Sequence, residues 1–275
     1  MPRQKNRLDG RASDGFRDDL AAAEAECISF IQSHTADANA DGVVVNLSGG
    51  LDSTVTAALA VEALGSDAVY GFVLPASKLG GTDAQDAEAI AELLGIDHDT
   101  IHVQPLLAHL VDLVPSCINL NGNPVVRGNL TARLRMTFAY LAANDMGRLV
   151  AGTTNRSELL LGYFTKYGDG AADFLPLGDL YKTEVRALAR ELDVPEFIIE
   201  KQPTAGFWPE QTDRSDLGAS YETLDAVLHR YVDTGCTPEE LRSALDVDEE
   251  RIERIIEHYE MAAHKRSVPP TPTRN

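Results

Sequence analysis

The chain has 275 residues, 44% of them hydrophobic, and a net charge of −19 from 24 basic and 43 acidic side chains. Such acidity excludes nucleic acid as a general partner, because phosphate backbones need basic surface. No apolar run reaches the ~18–20 residues that cross a bilayer, which excludes a spanning helix and predicts no membrane partner.

The elements follow in chain order. Met1 to Arg7 is basic with no apolar core behind it, so 1–13 reads as a flexible cytoplasmic tail rather than a signal segment. Residues 14–33 read as a helix with Leu20, Cys27, Phe30 and Ile31 as its apolar stripe. Strand one is expected at 43–47 and its helix at 53–64, strand two at 68–74, and a helix at 84–94. Strand three is placed near 99–103, a helix at 105–114, a loop from Ser116 to Gly128, and a long helix at 129–145. Strand four is 149–152, a helix fills 181–192, and 217–265 is helical and charged, with Pro238 suited to a first turn after Thr237. Strands alternating with helices predict an α/β fold, a parallel sheet with helices on both faces and a C-terminal helical segment. The expected organisation is one domain, with an α/β core at 14–200, a helical part at 201–268 and a tail at 269–275.

The most informative stretch is Leu47-Ser48-Gly49-Gly50-Leu51-Asp52-Ser53-Thr54. It follows the β-branched run Val43-Val44-Val45 and leads into a helix. Two glycines let the backbone approach an anion, and a helix start supplies unpaired N–H groups and partial positive charge. Ser48, Ser53 and Thr54 add hydroxyls. Asp52 would repel phosphate unless a cation lay between them, which points to Mg²⁺. The plain alternative is a capped Gly-Gly turn. The stretch is neither a Walker loop nor a dinucleotide fingerprint, since neither spacing is present.

Gly152-Thr153-Thr154-Asn155-Arg156-Ser157-Glu158 follows strand four. Ligands in such sheets bind beyond the carboxyl ends of strands, so it can face the same crevice as the first motif. Glu158 is either a second Mg²⁺ ligand or half of a helix cap with Asn155 or Thr154. The run from Gly162 to Asp173 combines Tyr163, Phe164 and Tyr167 with Lys166, Asp169 and Asp173. Aromatics with a lysine suit a planar anionic ligand, and a packed surface loop is the plainer account. Lys182 at a helix start is electrostatically disfavoured, which suggests an anionic partner or else a solvated side chain. Ala263-His264-Lys265-Arg266 places a basic cluster at the end of an acidic helix, where it also complements the helix dipole.

Ser-Gly-Gly-Leu-Asp-Ser resembles the pyrophosphate loop of the N-type ATP pyrophosphatases. Taken with the later motifs in this order, nearly the whole chain (14–268) resembles the ammonia-dependent NAD⁺ synthetases. The Gly-Thr-Thr-Asn-Arg-Ser-Glu version of the fourth-strand motif looks like archaeal members. The resemblance implies ATP-dependent amidation of deamido-NAD⁺ by ammonia to NAD⁺, through an adenylated intermediate, with release of AMP and pyrophosphate. By analogy Asn46, Leu47, Ser48, Gly49, Gly50, Leu51, Asp52 and Ser53 hold ATP, joined by Thr153, Lys182 and Thr204. Asp52 and Glu158 bind Mg²⁺. Arg133, Lys166, Asp173, His264 and Lys265 meet deamido-NAD⁺, and a homodimer is implied because that substrate spans a subunit interface. Lys78, in the variable stretch after strand two, receives no role.

The chemistry adds further expectations. Two anions must meet, so Mg²⁺ and lysines must neutralise developing charge. The adenylate must be kept from water, which makes 162–173, hinged at Gly162, Gly168 and Gly170, the expected lid. Ammonium must lose a proton before it attacks, which nominates Asp169, with Asp173 as rival, for the base. Glutamine-dependent relatives carry an extra amidase domain for which 275 residues leave no room, so free ammonia is the expected nitrogen source. Cys27, Cys117 and Cys236 lie far apart and fit a reducing cytoplasm rather than a zinc site or disulfide framework. The −19 charge also suggests adaptation to a salt-rich cytosol, since salt screens self-repulsion. The competing readings are another ATP pyrophosphatase, such as a GMP or asparagine synthetase or a tRNA-modifying enzyme, and a nucleotide sensor without chemistry.

Overall fold

A computed structural model describes residues 19–76, 81–115, 117–120, 122–208 and 210–272. The 1–13 tail, the first residues of the 14–33 helix, Lys78 and 273–275 lie outside the described residues.

Four parallel strands form one sheet in the order β3-β2-β1-β4: β1 (Val43–Leu47), β2 (Val69–Val73), β3 (Asp97–Thr100) and β4 (Leu149–Ala151). Val43 sits opposite both Val69 and Leu149, which makes β1 a central strand. Val43, Val44 and Val45 are fully buried, as expected of a strand covered on both faces. A parallel bridge from Ala151 to Phe174 extends the sheet past β4. Strand three begins earlier than its apolar residues suggest, because the polar Asp97 to Thr100 pair with β2 at an exposed edge. The expected Ile101 and Val103 still continue the pairing, through bonds to the Val73 and Pro75 carbonyls at 2.9 and 3.1 Å.

On one face lie α1 (Leu20–Asp37), α2 (Leu51–Leu64) and α3 (Thr82–Leu94), and on the other α4 (Gln104–Leu113) and α5 (Pro124–Met146). The α5 helix starts inside the stretch expected to be a loop. Asn123 Oδ1 accepts from Val125 N and Val126 N at 3.1 and 3.2 Å, and Pro124 fills the first turn, so the Asn-Gly-Asn-Pro segment is a helix cap. After β4 come α6 (Arg156–Leu161), α7 (Lys182–Glu191), α8 (Glu196–Ile199), α9 (Asp213–Leu217), α10 (Tyr221–Leu228), α11 (Pro238–Ala244) and α12 (Glu249–Met261). The α7 and α8 helices complete the first face, while α6 and α9 to α12 enclose a third core around Leu224, Leu228, Leu241 and Ile252. Thr237 caps α11 in a capping box with Glu240 and Pro238 at its first turn, as the sequence suggests.

Candidate active site at the ends of β1 and β4

The β1 strand ends at Leu47, and the chain turns through Ser48-Gly49-Gly50 into α2. Gly49 has φ +72°, and a Cβ there would lie 2.1 Å from the Asp83 carbonyl oxygen. The turn therefore needs glycine both for its backbone angle and for the close approach of α3. No side chain caps α2, so its first N–H groups remain available to an anion. Ser53 Oγ takes the Ser48 amide (3.2 Å), lies 3.0 Å from Ser48 Oγ and donates to the Gly50 carbonyl (3.1 Å), which fixes the turn from within. Asn46 Oδ1 is buried without a hydrogen-bond partner, an acceptor left for a ligand. Leu47 and Leu51 are buried in the core, so only their backbone can serve a ligand.

The motif after β4 reaches this turn directly. Asn155 caps α6 in a capping box with Glu158, and its Nδ2 donates to Asp52 Oδ1 at 2.9 Å. Glu158 is thus a capping residue and also a member of a charged cluster. Lys182 Nζ donates to Asp52 Oδ2 and lies 3.4 Å from Glu158 Oε1, with the three side chains only 5%, 16% and 16% exposed. Burial alone would lower the lysine pKa, but Asp52 and Glu158 prevail and hold it charged, above its ordinary value. Burial pushes the Glu158 carboxyl up, against the pull of Lys182, and the Asp52 and Asp213 charges add to the rise. The anionic partners inferred for Lys182 are therefore these two carboxylates.

Among the described residues no three His, Cys, Asp or Glu side chains form a ready metal cage. Magnesium commonly needs only one or two carboxylates when a substrate supplies phosphates. Asp52 and Glu158 offer hard oxygen donors in that number beside an anion-receptive turn, so the residues fit the ion.

A second group surrounds the 162–173 loop. Lys265 Nζ donates to the Gly162 and Phe164 carbonyls at 2.7 and 2.9 Å, and Lys166 Nζ to the His264 carbonyl. Arg133, exposed on α5, donates to the Lys166 carbonyl at 3.1 Å. The loop is thus pinned to the C-terminal basic turn, and a cavity of about 170 Å³ lies between them, lined by Thr154, Phe164, Gly170, Lys265 and Arg266 among others. Asp169 accepts from Thr165 N at 3.1 Å. Burial raises its pKa, while hydrogen bonds and the nearby Arg135 and Lys265 charges restrain the rise. Both Asp173 oxygens are engaged elsewhere, one by Val150 N (2.7 Å) and one by the Tyr140 hydroxyl (3.0 Å), so Asp173 ties β4 to α5. Thr153 is half-buried at the end of β4, and Thr204 turns its hydroxyl to Gly206 N at 3.0 Å. The structure therefore joins Asp52, Glu158 and Lys182 in one cluster and Arg133, Lys166, Asp169, His264 and Lys265 in another, while Asp173 and Thr204 stand apart from both.

Four residues at the first cluster escape the sequence reading. Asp213, which opens α9, is buried. It accepts from the Tyr221 hydroxyl at 2.8 Å, while its Oδ1 has no hydrogen bond, the neighbouring Tyr163 hydroxyl being turned to Asp216 at 2.7 Å. The Tyr221 ring lies 5.2 Å from Lys182 Nζ. Asp225, on α10, is fully buried and accepts from Ser157 Oγ (2.5 Å), Thr183 N (3.0 Å) and Thr183 Oγ1 (2.9 Å), and Ser157 Oγ in turn takes the Lys182 amide at 2.9 Å. Lys201 Nζ donates to the Gly49 carbonyl at 2.8 Å. One signal for Lys201 was available. The chain uses 6 lysines against 18 arginines, and all four lysines among the described residues, Lys166, Lys182, Lys201 and Lys265, lie at the two clusters.

Comparison with known proteins agrees with this geometry. The family model for NAD synthase matches residues 24–269. An NH(3)-dependent NAD(+) synthetase of Methanosarcina mazei is 43% identical over 92% of this chain and 98% of its own. Among solved structures, the NMN synthetase from Francisella tularensis superposes with a TM-score of 0.79 at 35% identity, over 93% of this chain and 99% of that one. The NH3-dependent NAD synthetase from Campylobacter jejuni, in complex with a nitrate ion, does so with a TM-score of 0.77 at 30% identity, over 93% and 100%. With this match spanning the sheet, both clusters and the C-terminal helices, the chain belongs to the NAD synthase family.

Proposed function

We propose that this protein amidates deamido-NAD⁺ with ammonia, consuming ATP and releasing AMP and pyrophosphate, as a ligase that forms a C–N bond in NAD⁺ biosynthesis. The observation that carries the proposal is the link from Asp52, beyond β1, through Asn155 and Lys182 to Glu158, beyond β4. It places two carboxylates and a lysine beside an anion-receptive glycine turn, in a chain of this family.

The residues from Asn46 to Ser53, with Thr153 and Lys182, bind ATP, the glycine turn and the α2 N-terminus taking its phosphates, and Thr204, outside the charged cluster, meets the nucleotide away from them. Asp52 and Glu158 would hold Mg²⁺, which would supply positive charge to offset that of the triphosphate. Lys182, held charged in the cluster, stabilises the departing pyrophosphate. Arg133, Lys166, His264 and Lys265 bind the dinucleotide around the loop, with Asp173 fixing the strand edge beneath it. Asp169 takes the proton from ammonium; burial raises its pKa above the ordinary carboxylate value, which makes it a stronger base. The protein acts as a homodimer, and Leu113, Ile118, Val125 and Val126, exposed apolar residues at the end of α4 and the start of α5, are candidates for its interface. No helix among the described residues is long and apolar enough to cross a membrane. The need for ATP and a dinucleotide precursor places the enzyme in the cytoplasm, where both are at hand.

Pyrophosphate release tests the reading directly. It is expected only with ATP, Mg²⁺ and deamido-NAD⁺ together, with AMP and NAD⁺ accumulating once ammonium is added. No release under those conditions defeats it. Because an NMN synthetase shares the fold, an arm with nicotinic acid mononucleotide in place of the dinucleotide separates the two substrates.

A further inference from the structure

Lys201, just beyond α8, belongs to no motif and lies 152 positions from the residue it touches. Its Nζ donates to the Gly49 carbonyl at 2.8 Å and pairs with Asp83 and Asp86 on α3 at 2.8 and 2.6 Å. Burial alone would lower its pKa, but the two aspartates outweigh burial and keep it charged.

The Gly49 carbonyl lies at the centre of the phosphate turn. A trans peptide directs its C=O and the following N–H to opposite sides. A cation holding the Gly49 carbonyl on one side therefore turns the Gly50 N–H to the other, where it now donates to Ser48 Oγ at 3.2 Å. Ser48 is the exposed hydroxyl of the turn, so this is the side open to a ligand. The same ammonium ties down the start of α3, whose Asp83 carbonyl backs Gly49 at a distance that admits no Cβ. Without Lys201 the Gly49–Gly50 peptide joins two glycines and is held from side chains only by the 3.2 Å bond of its N–H to the exposed Ser48 hydroxyl, a bond that an anion binding at this amide would replace.

We propose that Lys201 is the positioning residue of the phosphate turn: it clamps the Gly49 carbonyl so that the Gly50 amide points at the bound anion, and it does so without touching the nucleotide. The proposal rests on the reading that this turn holds the phosphates of ATP. It also explains why a chain that favours arginine keeps a lysine here. A single compact ammonium can reach one carbonyl and two carboxylates at once, where a planar guanidinium carries its donors in a fixed fork.

Calorimetric titration of the full chain with Mg-ATP and, separately, with deamido-NAD⁺ tests the proposal, using wild type, Lys201→Met and Lys201→Arg, with melting curves to establish folding. Loss of one charge-assisted bond predicts Mg-ATP binding about 10-fold weaker in Lys201→Met. Deamido-NAD⁺ affinity should stay within about 2-fold, and Lys201→Arg, which keeps the charge but carries its donors in a fixed fork, should bind Mg-ATP a few-fold more weakly than wild type and more tightly than Lys201→Met. Unchanged ATP affinity in Lys201→Met overturns the proposal. So does equal weakening of both substrates, which marks a merely structural lysine. If Lys201→Met does not fold, Lys201→Arg decides, because selective weakening of ATP by a few-fold is expected from its poorer fit and none would contradict the clamp. A wild type that binds no Mg-ATP contradicts the ATP reading itself.

Discussion

The two regions that meet at Lys182 hold their charges in opposite ways. At the end of β1 the groups offered to a ligand are backbone amides, exposed by a glycine turn that no other residue can make, and the hydroxyls around them bond only to one another and to that backbone. Beneath α7 the groups are side chains. Asp225 sets the backbone of Lys182 through Ser157, while Asp213 and Tyr221 lie against its ammonium end. The first region is made by eight consecutive residues. The second is assembled from α6, α7, α9 and α10, with partners up to 68 positions apart. A backbone device is broken by any side chain that does not fit, whereas a network of buried charges can be taken apart one group at a time.

Removing the shared member has the largest expected effect. Lys182→Met leaves Asp52, Glu158 and Asp213 in one buried neighbourhood without their cation. Breaking a buried pair in this way costs about 3 kcal/mol, and pyrophosphate release should fall by roughly two orders of magnitude or more. Added Mg²⁺ should restore part of the lost stability, because it becomes the only counter-charge for the carboxylates. Melting curves with and without Mg²⁺ measure this. A variant that melts like wild type, or a Mg²⁺ response no larger than that of wild type, would show that the cluster is not an ionic unit.

Gly49→Ala tests the other region. The new Cβ would meet the Asp83 carbonyl at 2.1 Å from a backbone with φ +72°, so either the turn or α3 must shift. Strain at such a position costs about 1–3 kcal/mol. Displacement of the turn by even ~1 Å should cut turnover about 100-fold, while binding of deamido-NAD⁺, proposed to lie at the separate 162–173 loop, should stay near normal. Gly50→Ala is the matched control, since its Cβ would meet only Ser48 Oγ at 3.2 Å. Equal damage from both substitutions would contradict the geometry.

The contrast also explains what can be read from the chain. The octet, the Gly-Thr-Thr-Asn motif, strands β1, β2 and β4 and the α/β class are legible because each is a local pattern of apolar residues, glycines and caps, whereas β3 is polar and is found only through its pairing with β2. The position of Glu158 is legible, but its double use as cap and cluster member is not, since the sequence cannot show Asn155 reaching across to Asp52. The start of α5 is hidden because Asn-Gly-Asn-Pro suits a turn as well as a cap. Asp213, Asp225 and Lys201 give no local signal. Aspartates near helix starts are common caps, and a lysine after a short helix is ordinary. Their roles come from tertiary packing that brings the C-terminal helices and the end of α8 to the sheet. Lysine scarcity is the one global clue, and it needs the fold to become specific.

The smallest expected effect isolates Asp225 from the rest of the network. Burial raises its carboxyl to about 6 from an ordinary 3.8, although Ser157 and Thr183 donate to it and favour the charged form. The folded protein therefore keeps this proton more tightly than the unfolded chain does. The resulting stabilisation is complete below about pH 4, declines as pH rises through about 6, and is gone above it. Asp225→Asn has no proton to lose there. The melting temperature of wild type minus that of the variant should accordingly fall by a few °C between about pH 4 and pH 7 and be level beyond. At pH 7 the wild-type carboxylate accepts all three of its bonds, whereas the amide introduced by Asp225→Asn must turn an N–H toward either Ser157 or Thr183. The variant should then lose grip on the Lys182 backbone even where its stability compares best with that of wild type. A melting difference that does not change with pH would place Asp225 in a more polar setting than the structure shows, and would weaken the case that buried charge, rather than backbone shape, organises this side of the site.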